Sequence, residues 1–266
     1  MGYPRLEIRE GAIRHNARLI CGMCAGRGIE VIGVTKGVCG HPAVARAMLA
    51  GGAAGLGDSR LSNLRRMRRA GIAARLMLLR SPMPSEVEDV PAIADCSLES
   101  EPEVARALGE RAASLGRVHG VTLMVDVGER REGVMPDRAV EVAVRMASLK
   151  GIRLEAVGTA VGCFNAVLPS RRNMQLLVEI AREASRELGY PLGVSGGTTA
   201  TLRLLSEGEL PEGVTQFRVG EGILLGTDIT SGCAVPGARR DGFRLLVEVI
   251  EVQRKPSAPC GERGAD

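Results

Sequence analysis

Eight short aliphatic runs, each followed by a stretch with helical periodicity, constrain this chain more than any other feature of its sequence. The runs are Glu30–Thr35, Ala53–Gly57, Ala74–Leu79, Ile93–Leu98, Val121–Val127, Leu154–Val161, Leu192–Ser195 and Thr215–Val219. Helical spacing of apolar residues covers Glu10–Cys24, then Pro42–Ala50, Ser59–Arg69, Ser85–Ala92, Glu101–Leu115, Asp137–Leu149, Arg171–Leu188 and Thr199–Leu205. Parallel strands cannot be joined by a tight turn and need a crossover, usually a helix. Eight strand–helix units close into a barrel of roughly 250 residues, which the 266 residues here accommodate. An open doubly wound sheet is the alternative on pattern alone; the count of eight favours closure. Pro42 suits the first turn of its helix, and Asp58 or Ser59 can cap the next. The expected fold class is α/β, a (β/α)8 TIM-type barrel over residues 10–230. Strand-like alternation at Arg5–Arg9 and Phe243–Val249 adds the beginning of a small, truncated C-terminal β domain, drawn from residues 1–9 and 241–266.

Composition fits that architecture and narrows the partners. Aromatic residues are only 2% of the chain, so the core is built from Val, Leu, Ile, Met and Ala, as in a sheet buried on both faces. The same scarcity leaves few platforms for stacking bases, and no nucleic-acid partner is expected. The net charge is +4. The basic stretch Arg65–Arg69 follows Leu61 and Leu64 at helical spacing and reads as a solvated helix face. No run approaches the roughly 18 apolar residues of a membrane span, and the N-terminus has no apolar leader core, so a cytoplasmic protein is expected. The seven cysteines show no regular framework. Cys21 and Cys24 fall on the first helix and read as small packing residues rather than a redox or metal pair. With only His15, His41 and His119 available, no metal site is expected.

Of 35 basic side chains only Lys36, Lys150 and Lys255 are lysines, which leaves 32 arginines. Where bare positive charge is wanted, this chain uses arginine; a lysine is therefore a candidate for the chemistry of a primary amine. Lys36 ends the first strand, and reactive groups of such barrels sit at the C-terminal ends of strands. A lysine at that rim is usually only solvated, but partial removal from water near other cations makes its amine a nucleophile toward aldehydes. The other strand ends carry Asp58–Arg60, Arg80, Asp126 with Arg130 and Arg131, Thr159, Ser195-Gly196-Gly197-Thr198-Thr199, and Arg218 before Gly220-Glu221-Gly222. The last two clusters lie after strands seven and eight, the usual phosphate site of the architecture. A glycine loop opening a helix offers backbone N–H groups to an anion; taken alone it is as well explained by a tight turn and a helix cap.

Read together, these segments resemble a family. Tyr3–Ile8, Gly33-Val34-Thr35-Lys36-Gly37-Val38-Cys39-Gly40, Leu56–Arg60, Met77–Met83, Met124–Gly133, Ser195–Thr198 and Phe217–Glu221 resemble the alanine-racemase-like, fold-type III enzymes that use pyridoxal 5′-phosphate, and most closely their ornithine (alanine/ornithine) racemase branch. The resemblance implies an isomerase of a small or basic amino acid, acting as a homodimer. It implies that Lys36 carries the cofactor as a Schiff base and moves the proton on one face of the substrate Cα. Arg218 would meet the pyridine nitrogen, Arg131 would orient the substrate carboxylate, and Ser195, Gly197, Thr198, Gly220 and Glu221 would hold the phosphate. Two departures accompany it. Ala160 stands where many relatives have a histidine or asparagine against the ring. The tyrosine that serves the opposite face in alanine racemases has no counterpart in Tyr3 or Tyr190; Cys39 and Cys163 lie near strand ends and could serve, but read better as buried packing cysteines. The competing expectation is a pyridoxal-phosphate carrier or homeostasis protein without turnover. A D-amino-acid lyase or aldolase of related fold is disfavoured by the shortage of metal ligands.

Overall fold

The computed structural model describes residues 2–162, 167–228 and 230–262. Strand β1 (Arg5–Ile8) and helix α1 (Glu10–Ala25) precede the repeating part of the chain. Eight strands follow: β2 (Glu30–Val34), β3 (Gly55–Asp58), β4 (Arg75–Leu78), β5 (Cys96–Glu99), β6 (His119–Met124), β7 (Ile152–Gly158), β8 (Gly193–Gly197) and β9 (Gln216–Val219). They form a closed barrel in chain order, all parallel, with Glu30–Gly33 of β2 paired to Gln216–Val219 of β9 to complete the circle. The helices between them are α2 (Pro42–Ala50), α3 (Leu61–Arg69), α4 (Val90–Ile93), α5 (Pro102–Ser114), α6 (Ala139–Ala147), α7 (Arg171–Leu188), α8 (Leu202–Ser206) and α9 (Glu221–Leu224). β10 (Phe243–Leu246) pairs antiparallel with β1, Arg5 opposite Leu246 and Ile8 opposite Phe243.

Strand alternation sorts the core into two layers. Leu76 and Leu78, Val121 and Leu123 point outward into the large cluster shared with the helices. Their alternate neighbours Met77, Cys96, Leu98 and Met124 form a separate small cluster with Leu79 and Ala160, which is the barrel interior. Below it, Glu155 is bonded to Arg75 and Arg153. Gly120 leaves the space they need, since a Cβ there would lie 2.7 Å from the Glu155 carboxyl carbon.

Local chemistry accounts for the element ends. Pro42 and Pro102 open α2 and α5, where a missing N–H costs nothing. Ser170 caps α7, its hydroxyl accepting from the Asn173 N–H while the Asn173 amide oxygen accepts from the Ser170 N–H. Asp58, rather than Ser59, holds the start of α3, accepting from the Arg60 N–H at 2.9 Å and from Asn63 Nδ2 at 2.9 Å. Leu61, Leu64 and Met67 bury one face of α3, and the basic stretch lies on the other, with Arg65 paired to Asp89 and Arg68 to Asp95. On α1, burial pushes the Cys21 and Cys24 thiols up to about 11 and about 12, which keeps them as inert packing groups.

Several boundaries differ from the sequence expectation: β6 and β7 start and end earlier, at His119–Met124 and Ile152–Gly158. Ile93 belongs to α4, and β5 starts at Cys96. β8 runs on through Gly196 and Gly197. β10 stops at Leu246, so only Phe243–Leu246 of the expected Phe243–Val249 run pairs with β1.

Candidate active site

The C-terminal rim of the barrel collects the polar residues that the strand ends supply. β2 ends at Val34, and the turn after it is anchored before it reaches Lys36. The buried Thr35 donates its hydroxyl to Asp58 Oδ2 at 2.8 Å and its N–H to the Gly57 carbonyl, and its own carbonyl accepts from Val38 and Gly40. Lys36 then opens a short 3-10 turn beyond the barrel wall. It is solvent-exposed, so this chain's own atoms do not give the amine the partial burial expected from sequence. The reason is its place one residue past the last buried position.

Arg218, on β9, is the opposite case. It is 5% exposed and reaches across the rim, donating to the Ser195 carbonyl at 3.1 Å, to the Ser195 hydroxyl and to the Thr159 carbonyl. Desolvation lowers its pKa to about 10, with the Glu132 carboxylate acting the other way. At neutral pH it remains a cation and offers only N–H donors. Ser195 in turn donates to Gln216 Oε1 at 2.8 Å, so its hydroxyl is committed to fixing Arg218.

The loop after β6 brings in Arg131 and Glu132. Asp126 ties it down, accepting at one carboxylate oxygen from the N–H of Gly128 at 2.8 Å and of Arg130 at 3.1 Å. Gly133 closes the loop at φ +109°, where a Cβ would lie 2.7 Å from the Asp126 nitrogen. Arg131 lies 4.0 Å from Glu132.

Across the rim, Thr198 caps the turn that precedes α8, accepting from the Ala200 N–H, and the Thr199 hydroxyl accepts from the Gly222 N–H at 3.2 Å. That bond ties the start of one helical turn to the start of α9. Within the first turn the Thr198 N–H donates to the Thr201 hydroxyl at 3.3 Å; helix starts of this kind offer their N–H groups to an anion placed between them.

A single cavity of about 200 Å³ is lined by Lys36, Arg131, Thr198, Arg218, Gly220 and Glu221. The eight candidate residues singled out in the sequence fall into two groups, because these six are on the lining and Ser195 and Gly197 are not. A Cβ at Gly197 would collide with Thr201, so its contribution is a tight turn. Sequence reasoning missed Glu132 and the apolar lining of Leu79 and Leu98 beside Ala160. Strand alternation was the signal for the two leucines. Cys39, exposed, lines the neighbouring wider cavity; Cys163 lies outside the described residues. The donor set suits an aromatic aldehyde carrying a phosphate: an amine at one side, outward N–H groups at the other, an apolar floor and a fixed cation beneath. Pyridoxal phosphate fits it.

Comparison with known proteins agrees with this geometry. The family model for the alanine racemase N-terminal domain matches residues 8–228. A lysine racemase of Thermotoga maritima is 41% identical over 268 aligned positions, covering all of this chain and 75% of the relative. An ornithine racemase of Acetoanaerobium sticklandii is 35% identical, over 99% of this chain and 75% of its own length. Among solved structures, a D-threonine aldolase from Filomicrobium marinum superposes with a TM-score of 0.74 at 19% identity, over 90% of this chain and 67% of that one. An alanine racemase of Clostridium difficile 630 gives 0.72 at 21% identity, over 86% of this chain and 60% of that one. At those identities the two structures establish the shared barrel and nothing finer.

Proposed function

The chain belongs to the alanine racemase N-terminal domain family, and from that premise we propose that it is a pyridoxal 5′-phosphate-dependent racemase that interconverts the L- and D-enantiomers of a small or basic amino acid of the ornithine/alanine type. One observation carries the reading: Lys36, Arg218 and the starts of two helical turns open on a single cavity at the C-terminal rim. When bound, the cofactor supplies an electron-withdrawing ring conjugated to the substrate Cα, which acidifies its C–H bond.

Lys36 Nζ would hold the aldehyde carbon and, released from it, would exchange the Cα proton on one face, while inversion requires a second proton donor and acceptor on the opposite face. Arg218 has no lone pair to accept a proton from a ring nitrogen and can only donate to it, so it holds that nitrogen unprotonated and limits how much charge the ring draws off. Arg131 orients the substrate carboxylate by paired donors. Backbone N–H groups at Gly220 and Glu221 would take the phosphate, joined by that of Thr198 on leaving the Thr201 hydroxyl to which it donates, while Ser195 fixes Arg218 and Gly197 lets the β8 turn close. The reading includes a cytoplasmic homodimer. Exposed Leu245, Val247, Val249 and Ile250 beside β10 support a second copy there, and no described helix is long and apolar enough to cross a membrane.

Incubation with the cofactor and, separately, L-ornithine, L-lysine, L-alanine and L-serine, followed by chiral chromatography, tests the proposal. The D-enantiomer of at least one is expected. Cofactor bound with no enantiomer formed from any of them overturns the racemase and favours a carrier.

A further inference from the structure

The catalytic cavity adjoins a wider one of about 630 Å³, and the two share Val34, Lys36, Gly220 and Glu221. Leu6 and Ile8 of β1, Phe243 of β10 and Leu225 wall the wider cavity. Methylene groups gain there by leaving water. Glu221 is the acidic side chain on its described lining, set among that apolar wall with Lys36 and His41 as the basic groups. The narrow cavity holds Arg131 and Arg218 beside Lys36, against Glu132 and the shared Glu221, a surplus of positive charge that draws a carboxylate. The Thr227 hydroxyl donates to Glu221 Oε1 at 2.7 Å and fixes that carboxylate. Among the described residues no ion pair engages it.

We propose that Glu221 is the specificity-determining residue of the site: its carboxylate accepts the terminal ammonium of a diamino-acid substrate whose methylene stem lies along the Leu6, Ile8 and Phe243 wall. The inference rests on the racemase reading and narrows its substrate to the basic amino acids. A substrate held by its carboxylate near Arg131, with Cα at Lys36, has only its side chain free to enter the wider cavity. Alanine's methyl leaves that cavity unused. An uncharged chain of ornithine's length places a methyl group against a carboxylate partly stripped of water, which is unfavourable. A chain ending in an ammonium satisfies both the wall and the acid. The Glu221 N–H, assigned above to the phosphate, is a separate group, so Glu221→Gln changes the side-chain charge and keeps the backbone donor.

The experiment compares ornithine with norvaline, which has the same stem without the ammonium, on the cofactor-loaded protein. It reads kcat/KM and, independently, Kd from the change in the cofactor's visible absorbance. The wild type is expected to prefer ornithine by roughly 10- to 100-fold, the worth of one charge-assisted hydrogen bond. Glu221→Gln is expected to lose most of that preference through a higher KM and Kd for ornithine, and Glu221→Asp to keep part of it. A wild type without the preference, or a Gln variant that retains it, overturns the assignment. If no amino acid is racemised, the racemase reading fails, and the absorbance titration still decides the role of Glu221.

Discussion

Glu99 ends β5 wholly buried, its Oε1 accepting from the Ser97 hydroxyl at 2.8 Å and the Ser81 side chain close enough to lower its pKa as well. Ser97 also meets His119 Nε2 at 2.9 Å. Burial raises the Glu99 carboxyl to about 8, against the hydrogen bond from Ser97, and lowers the His119 imidazole to about 4. Both groups are therefore neutral at neutral pH and share one hydroxyl. Their effects on stability have different pH windows. His119, depressed, contributes stability that is present above its unfolded pKa near 6.5 and lost as pH falls toward 4. Glu99, raised, binds its proton more tightly when folded, so the protein loses stability as pH rises from about 4.5 to 8. Above pH 6.5 only Glu99 still titrates. Denaturant unfolding is expected to show the wild type losing up to about 2 kcal/mol between pH 6.5 and 8, and Glu99→Gln losing much less; equal slopes would contradict the buried proton. This pair was invisible in the sequence, since facing residues of β5 and β6 become neighbours only through register. Lys36, in contrast, was legible because lysine is so scarce here, while the part of Thr159 was not, because it acts through its carbonyl.

At the scale of elements, aliphatic runs located all eight barrel strands, but not their ends. Ala92-Ile93-Ala94 reads equally as strand or helix, and Pro91 at the start of α4 decided it by favouring a first helical turn. The glycines of β8 read as a loop because glycine is a poor strand former; neighbouring strands override that preference. The phosphate-side turns were found as loops, yet the bond from Gly222 to Thr199 that joins them is a tertiary contact. The β6 loop gives a test at this scale. Gly133 and Gly71 both have positive φ, +109° and +78°, but only Gly133 has backbone where a Cβ would stand. Gly71→Ala is expected to cost about 1 kcal/mol for conformation alone, and Gly133→Ala clearly more, about 2–4 kcal/mol. Equal losses in denaturant unfolding would show that the close packing does not hold the Arg131 loop.

The whole molecule is a closed barrel with a two-stranded sheet beside its mouth. Closure supplies the rigid rim, and eight strand ends bring distant residues together; Lys36 follows β2 and Arg218 is on β9, strands far apart in sequence that pair directly. The β1–β10 sheet was anticipated from alternation at both termini. The abrupt end of β10 was not, because two strands cannot by themselves bury both faces; Leu245 is 64% and Ile250 97% exposed. The same closure makes the account's central claim a statement about one nitrogen. Reduction of the cofactor-loaded protein with borohydride, proteolysis and mass spectrometry would fix where pyridoxal phosphate is attached. The account predicts a pyridoxyl group on the peptide containing Lys36 and none on those containing Lys150 or Lys255. Attachment at either of those lysines, or none at any, would contradict it.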